Sequence, residues 1–154
     1  MGVPVAIALG SNLGDRERTL GDAVAALREH LARLSVSTFH DTEPVGVGAQ
    51  PRFLNAAATG DTALSARDLL AALLDIERRF GRERPHPGAP RTLDLDLILY
   101  GRLTIDEPGL VVPHPRFRER HFVLAPLAEI ASDWTDPVTG RTVGELLAAL
   151  AGSR

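Results

Sequence analysis

The spacing of apolar residues changes several times along the chain, and each change marks an element. Val3 to Leu9 is a short apolar run closed by Gly10-Ser11-Asn12-Leu13-Gly14, which predicts a strand and a tight turn. From Asp15 onward Leu20, Val24, Leu27, Leu31 and Leu34 recur at spacings of four and three, a single helical stripe ending near Arg33. Ser35 to His40 alternates polar with apolar residues and reads as a second strand, and Phe53 to Thr59 as a third, although alanines are weak strand formers. Ser65-Ala66-Arg67-Asp68 has the spacing of a capping box; Leu69, Leu73, Ile76 and Phe80 give the stripe of helix two, with Gly81 as its stop. Leucines then alternate with polar residues from Thr92 to Asp96 before apolar residues run on to Tyr100. That is a strand with a buried Leu93/Leu95/Leu97/Leu99 face, and Asp94 and Asp96 point the other way. Val123 to Ile130 is a short apolar segment, and Thr142-Val143-Gly144-Glu145 is a capping box opening a terminal helix with Leu146, Leu147 and Leu150.

The order strand, helix, strand, strand, helix, strand is that of an α+β, ferredoxin-like split βαβ unit. Its sheet is expected to pack one face on two helices and to leave the other open, with Asp94 and Asp96 on the open face under the long loops. With 154 residues, one domain spanning 1–154 is expected.

Composition narrows the chemistry. All 17 cations counted as Lys+Arg are arginines, which removes the lysine-dependent phosphate sites of P-loops and protein kinases. The absence of cysteine removes thiolate zinc sites, disulfides and thiol nucleophiles. A net charge of −3 gives no general attraction to nucleic acid, so anion binding must come from local arginines. The apolar start is too short to span a membrane and lacks a basic leader, so a cytoplasmic protein without membrane contact is expected.

Three stretches carry candidate chemistry. An i,i+2 pair on a strand sets Asp94 and Asp96 about 6–7 Å apart at Cα, close enough to share cations, though the same spacing suits an exposed strand with two solvated acids. Arg78, Arg79, Arg82, Arg84 and Arg91 surround a loop broken by Pro85, Pro87, Gly88 and Pro90. Each of them alone reads as a solvated charge, but together beside an acidic pair they offer planar forks to phosphate oxygens. Prolines flank His114, and Arg116, Arg118 and Arg120 form a second basic cluster; a zinc site from His114 and His121 is set aside because the spacing fits no common ligand motif. Asp41 to Pro51 is a long loop of the kind that binds ligands or merely crosses the surface, and Asn55 inside a strand needs amide partners.

Ala8-Leu9-Gly10-Ser11-Asn12-Leu13-Gly14, Gln50-Pro51-Arg52-Phe53-Leu54-Asn55, Pro90-Arg91-Thr92-Leu93-Asp94-Leu95-Asp96 and Val112-Pro113-His114 together resemble the motifs of the 6-hydroxymethyl-7,8-dihydropterin pyrophosphokinases of folate synthesis, in order over nearly the whole chain. The resemblance implies transfer of the β,γ-diphosphate of ATP to a pterin hydroxymethyl group with release of AMP. It implies two Mg2+ ions on Asp94 and Asp96, and Arg82 and Arg91 acting at the phosphates. Glu77, Arg82, Arg84, Arg91, Leu97, His114 and Arg120 would contact ATP. Phe53 and Phe122 would sandwich the pterin, Asn55 would read its polar edge, and Thr42, Pro44 and Val45 would line its pocket; core packing is the plainer account of the two phenylalanines. The lid departs from the family pattern: Pro87-Gly88-Ala89-Pro90-Arg91 stands where relatives carry Arg-Trp-Gly-Pro-Arg, which weakens the case for Arg84 and predicts altered closure. Gly109 and Val111 likewise replace polar nucleotide contacts. A monomer acting on small molecules is expected, with ATP as co-substrate and no nucleic-acid partner. Two alternatives share the topology: a palm-like two-metal nucleotidyltransferase, which would release pyrophosphate, and a non-enzymatic nucleic-acid-binding module, which would want aromatics on the first strand.

Overall fold

β1 (Val3–Ser11) runs through the middle of the main sheet because its neighbours on both sides are long and antiparallel: β4 (Phe53–Thr62) on one flank and β5 (Asp94–Tyr100) on the other. The computed structural model describes residues 2–12, 15–42, 53–80 and 93–152. Short strands β2 (Ala32–Val36) and β3 (His40–Thr42) pair with the far edge of β4, and β6 (Ile105–Glu107) with β7 (Leu110–Val112) makes a separate ribbon. Helices α1 (Arg16–Leu27) and α2 (Ala66–Phe80) belong to one core, in which Leu20, Leu27, Leu69, Leu73 and Ile76 meet Val5, Ile7 and Leu9 of β1, Leu95 and Leu97 of β5, and Leu93 just before it. Leu69, Leu73 and Ile76 are almost fully buried, and each such side chain stabilises the fold by roughly 1.5–3 kcal/mol.

Several expectations need correction. Helix one ends at Leu27, not near Arg33. Asp15 caps its start by accepting the Arg18 N–H at 3.1 Å, but after a turn at Arg28–His30 the leucine stripe serves a strand: Leu31 packs under Gly60 and Ala32 pairs with Asp61. The second strand is two pieces. At Ser37 the side-chain hydroxyl accepts the Ala57 N–H at 2.9 Å, and at Thr38 the N–H donates to Glu129 at 2.8 Å, so the ladder is interrupted between β2 and β3. In β5 the predicted leucine face holds through Leu97 and then inverts. Ile7 pairs with Leu97 but Ala6 with Leu99, so Ile98 is an extra residue in the strand. Beyond this bulge Leu99 enters the opposite core, and Tyr100 turns to the α1/α2 side with its hydroxyl donating to the Leu64 carbonyl.

The largest correction concerns the second face of the sheet, which is not left open. The apolar segment after Phe122 is helix α3 (His121–Ala131), and α4 (Val143–Gly152) packs with it. Val123, Leu124, Leu127 and Ala131 fall on one helical side and meet Ala6, Ala8 and Ala57, whose small side chains let a helix sit directly on the strands. Ala57 of β4 thus suits a close helix–sheet contact, while Ala56 and Ala58 face the α1/α2 core. Both capping boxes occur in part or in full. Asp68 N–H donates to Ser65 Oγ at 3.1 Å, and at α4 Glu145 N–H donates to Thr142 Oγ1 at 3.1 Å while Thr142 N–H donates to Glu145 Oε1 at 2.9 Å.

Candidate active site

The register of the central strands builds the site. Gly10 pairs with Asn55 on one side and Asp94 on the other, and Ala8 pairs with Ala57 and Asp96. One cross-strand row is therefore Asp94–Gly10–Asn55, and the next is Asp96–Ala8–Ala57, all on the face that α3 covers only partly. At the spacing of adjacent strands, Asp94 and Asn55 lie about 10 Å apart at Cα across the glycine. A Cβ at Gly10 would come 3.0 Å from Asn55 Oδ1, so the bare backbone there gives the floor its depth.

Above this floor lies a cavity of about 780 Å3. Asp94, Asp96, Thr42, Phe53, Asn55, Phe122 and Arg120 all line it, from β5, β3, β4 and the start of α3. Asn55 is 6% exposed, and its amide nitrogen donates to Thr42 Oγ1, which fixes which way the amide faces. β3 is in turn held from two sides: Arg16 reaches both oxygens of Asp41 at 3.3 Å, and Glu129 of α3 accepts from the Thr38 N–H and hydroxyl and bonds the His40 ring.

His114 follows a cis Val112–Pro113 bond, and its N–H donates to the Ile98 carbonyl at 3.0 Å. Its Nδ1 accepts the Arg116 N–H at 3.2 Å, so the ring proton belongs on Nε2. Burial lowers the imidazole pKa; Asp96 opposes this, and Arg120 and Arg116 reinforce it, so His114 is neutral near pH 7. The Arg120 guanidinium stands 5.6 Å from the centre of the Phe122 ring, joining a cationic and an aromatic wall.

Of the described residues expected at the nucleotide, Arg120 lines the cavity, while His114, Leu97 and Glu77 do not. Leu97 is buried in the α1/α2 core, and Glu77, 3% exposed, uses Oε2 to accept the Leu95 N–H at 2.7 Å on the side of β5 away from β1. Arg82, Arg84, Arg91, Pro44 and Val45 lie outside the described residues. The cavity also takes in Arg116 and Glu119, which the sequence reading did not place there. Residues 116, 119 and 120 share the i, i+3, i+4 spacing of one helical side, the signal that finds them once the segment is read as a turn of helix instead of an alternating basic run.

The donor set at Asp94 and Asp96 suits a hard cation. Two carboxylates face the cavity, and among the described residues no cluster of three or more His, Cys, Asp or Glu forms a cage.

The family model for 7,8-dihydro-6-hydroxymethylpterin-pyrophosphokinase matches residues 6–132. A 2-amino-4-hydroxy-6-hydroxymethyldihydropteridine pyrophosphokinase of Bacillus subtilis is 50% identical over 126 residues, covering 80% of this chain and 75% of that protein. The one of Pseudomonas aeruginosa is 44% identical over 147 residues, covering 94% and 90%. A solved structure of wild-type Plasmodium falciparum HPPK-DHPS superposes with a TM-score of 0.79 at 12% identity; the match covers 97% of this chain but 45% of that one, and it speaks for the fold alone. On the extent of the family match and these identities, the chain is an enzyme of the 7,8-dihydro-6-hydroxymethylpterin pyrophosphokinase family.

Proposed function

We propose that this protein transfers the β,γ-diphosphate of ATP to the hydroxymethyl group of 6-hydroxymethyl-7,8-dihydropterin. The hydroxymethyl oxygen forms a bond to the β-phosphorus, the bond from that phosphorus to the α,β-bridging oxygen breaks, the hydroxyl proton is lost to solvent, and AMP leaves. The observation that supports the reading is the row Asp94–Gly10–Asn55, a carboxylate and an amide at opposite ends of one cavity floor, where the carboxylate would hold a cation and the amide would read the pterin. Asp94 and Asp96 would hold two Mg2+ ions, which when bound neutralise phosphate charge and polarise the β-phosphorus. Phe53 and Phe122 supply flat apolar walls for the ring, and Asn55, oriented by Thr42, reads its polar edge. Arg120 and the Nε2–H of neutral His114 donate to the nucleotide. Glu77 acts from behind the sheet, fixing the start of β5 and with it the direction of Asp94 and Asp96. Arg82 and Arg91 close on the phosphates, and Pro44 and Val45 complete the pterin pocket.

The order of elements and the strand sequence β2-β4-β1-β5 support a ferredoxin-like unit, to which β6, β7, α3 and α4 are added as part of one domain. A cytoplasmic monomer working on small molecules is part of the same reading; among the described residues no helix is long and apolar enough to cross a membrane. Mixing the protein with ATP, Mg2+ and 6-hydroxymethyl-7,8-dihydropterin should release AMP in step with pterin consumed. Free pyrophosphate in place of AMP, or no product above background, refutes the reading.

A further inference from the structure

The turn that carries Arg116, Glu119 and Arg120 to the cavity is short. It is a 3-10 turn, Phe117–Glu119, whose start no side chain caps among the described residues, with backbone bonds of 3.1–3.3 Å. Two side chains point away from the cavity and anchor it. Phe117 is fully buried in the α3/α4 core. Arg118 turns to the outer surface, its guanidinium 4.8 Å from the centre of the Phe117 ring, and grips Asp136 with a planar fork: Nε donates to Oδ2, and Nη2 donates to Oδ1 at 2.9 Å.

Asp136 is built to receive it. Its side chain has no exposed surface, and it also accepts the Val138 N–H at 3.0 Å and the Thr139 hydroxyl at 2.7 Å, so four donors converge on one carboxylate. Burial alone would raise this carboxyl; the bonds from Arg118, Thr139 and Val138 outweigh that and hold it below its usual range. The backbone of Asp136 closes the turn around it, with the N–H donating to Arg141 O and the carbonyl accepting Gly140 N–H, both at 2.8 Å. That turn is fastened to the end of α3 by Val143 N–H to Trp134 O at 2.8 Å and Gly144 N–H to Ser132 O at 2.9 Å.

We infer that Arg118 and Asp136 are positioning residues for nucleotide binding: the fork sets the orientation of the 116–120 turn and so aims Arg116 and Arg120 at the phosphates. The inference rests on the pyrophosphokinase reading for the identity of the ligand. A pair that served only to hold α4 in place would affect both ligands alike. One that aims the turn acts mainly on the nucleotide, because the pterin residues Asn55, Thr42 and Phe53 stand on β3 and β4, and of the pterin walls Phe122 is the one that meets the turn, through Arg120.

The test uses Arg118→Lys, which keeps the charge and loses the fork. Binding of a non-hydrolysable ATP analogue with Mg2+ should weaken by about 10- to 100-fold, the cost of misplacing contact groups by a fraction of an ångström or more. Affinity for 6-hydroxymethylpterin should fall by less than about threefold, since Phe122 beside Arg120 is the one pterin wall the turn touches. Thr139→Val removes a single donor to Asp136 and should weaken the analogue in the same direction by less; it keeps the inference testable if the lysine variant does not fold. Unchanged analogue affinity in a folded variant, or equal loss of both ligands, overturns it. AMP release by the parent protein is measured alongside. A parent that releases none refutes the pyrophosphokinase reading, while the two binding curves still decide on the brace.

Discussion

Gly10→Ala adds one carbon to the cavity floor, and its effect is worked from two contacts. The new Cβ would stand 3.0 Å from Asn55 Oδ1 and 3.9 Å from Phe53 Cδ1. The second is ordinary contact. The first is closer than even a C–H···O approach, which lies at about 3.3–3.6 Å, so the amide must shift by a few tenths of an ångström. Its nitrogen is bonded to Thr42 Oγ1, so the shift strains or breaks that bond and rotates the edge presented to the pterin. Weakening one neutral hydrogen bond costs about 0.5–1.5 kcal/mol, roughly 2- to 13-fold in pterin Kd. Stability should hardly move, because alanine is roughly 0.5–1 kcal/mol better than glycine inside a strand and offsets the crowding. Fluorescence titration with 6-hydroxymethylpterin, a parallel titration with an ATP analogue and Mg2+, and a thermal melt separate these effects. Pterin affinity should fall, nucleotide affinity should hold, and Tm should stay near that of the parent. In an Asn55→Ala background the same glycine change should cost less, since the group it displaces is gone. Unchanged pterin affinity, or an equal fall for the nucleotide, would show that Asn55 does not read the pterin from this row.

The remaining predictions address other parts of the molecule. Asp94→Asn and Asp96→Asn should each lower turnover by about 100-fold or more while pterin binding, carried by the phenylalanines and Asn55, changes far less; parallel loss of both would argue against a cation site. Leu73→Ala, 1% exposed in the parent, should cost about 2–5 kcal/mol in urea unfolding with little change in ligand affinity below the transition, and a cost under 1 kcal/mol would mean that the α2 core collapses around the gap. Glu129 is held below the usual carboxylate range, first by the Thr38 N–H, against burial, with the His40 and Thr38 side chains adding to it. A carboxyl lowered on folding contributes stability above its unfolded value, near about 4.3, and loses it as pH falls through the lower folded value. Glu129→Gln should therefore be less stable than the parent at pH 7, with the gap closing on acidification below about pH 4; a gap that stays constant down to pH 3 contradicts the assignment.

What could be read from the sequence follows from which interactions are local. Helix two was legible because Ser65 and the Leu69/Leu73/Ile76 stripe lie within a few turns of one another, and the structure runs α2 over Ala66–Phe80. The end of helix one was not, because Leu31 faces the same core whether it continues a helix or leads a strand, and only pairing of Ala32 with Asp61 on a distant strand decides between them. The break at Ser37 depends likewise on Ala57, twenty residues away. Leu99 was misplaced because a bulge inverts alternation without leaving a mark in a run of apolar residues. At the site, the acidic pair and Asn55 stood out as polar residues at strand positions. Glu119 did not, and Arg116 and Gly10 were visible only as part of a basic run and a glycine turn, whose place at the cavity comes from register and from the turn before α3.

One sheet face is divided into a dry half and a polar half, and residue size sets the boundary. Ala6, Ala8 and Ala57 are small enough for α3 to seat on the strands, and Leu124, Leu127 and Ala131 fill the contact. Where β1 reaches Gly10 and its neighbours become Asn55 and Asp94, α3 has only its first turn, and Phe122 and Val123 form a wall instead of a lid. Asp96 shares its row with Ala8 and Ala57, so the acids stand at the rim of an apolar core and not on a strand in open water. At such a rim the effective dielectric is lower, like charges repel more strongly, and a cation between them is favoured more. That asymmetry, which α3 creates, distinguishes Asp94-Leu95-Asp96 from a solvated edge and supports the proposed cation site. It also explains why Phe122 and the acids belong to one cavity: the helix that covers the row of Asp96 brings Phe122 on its first turn.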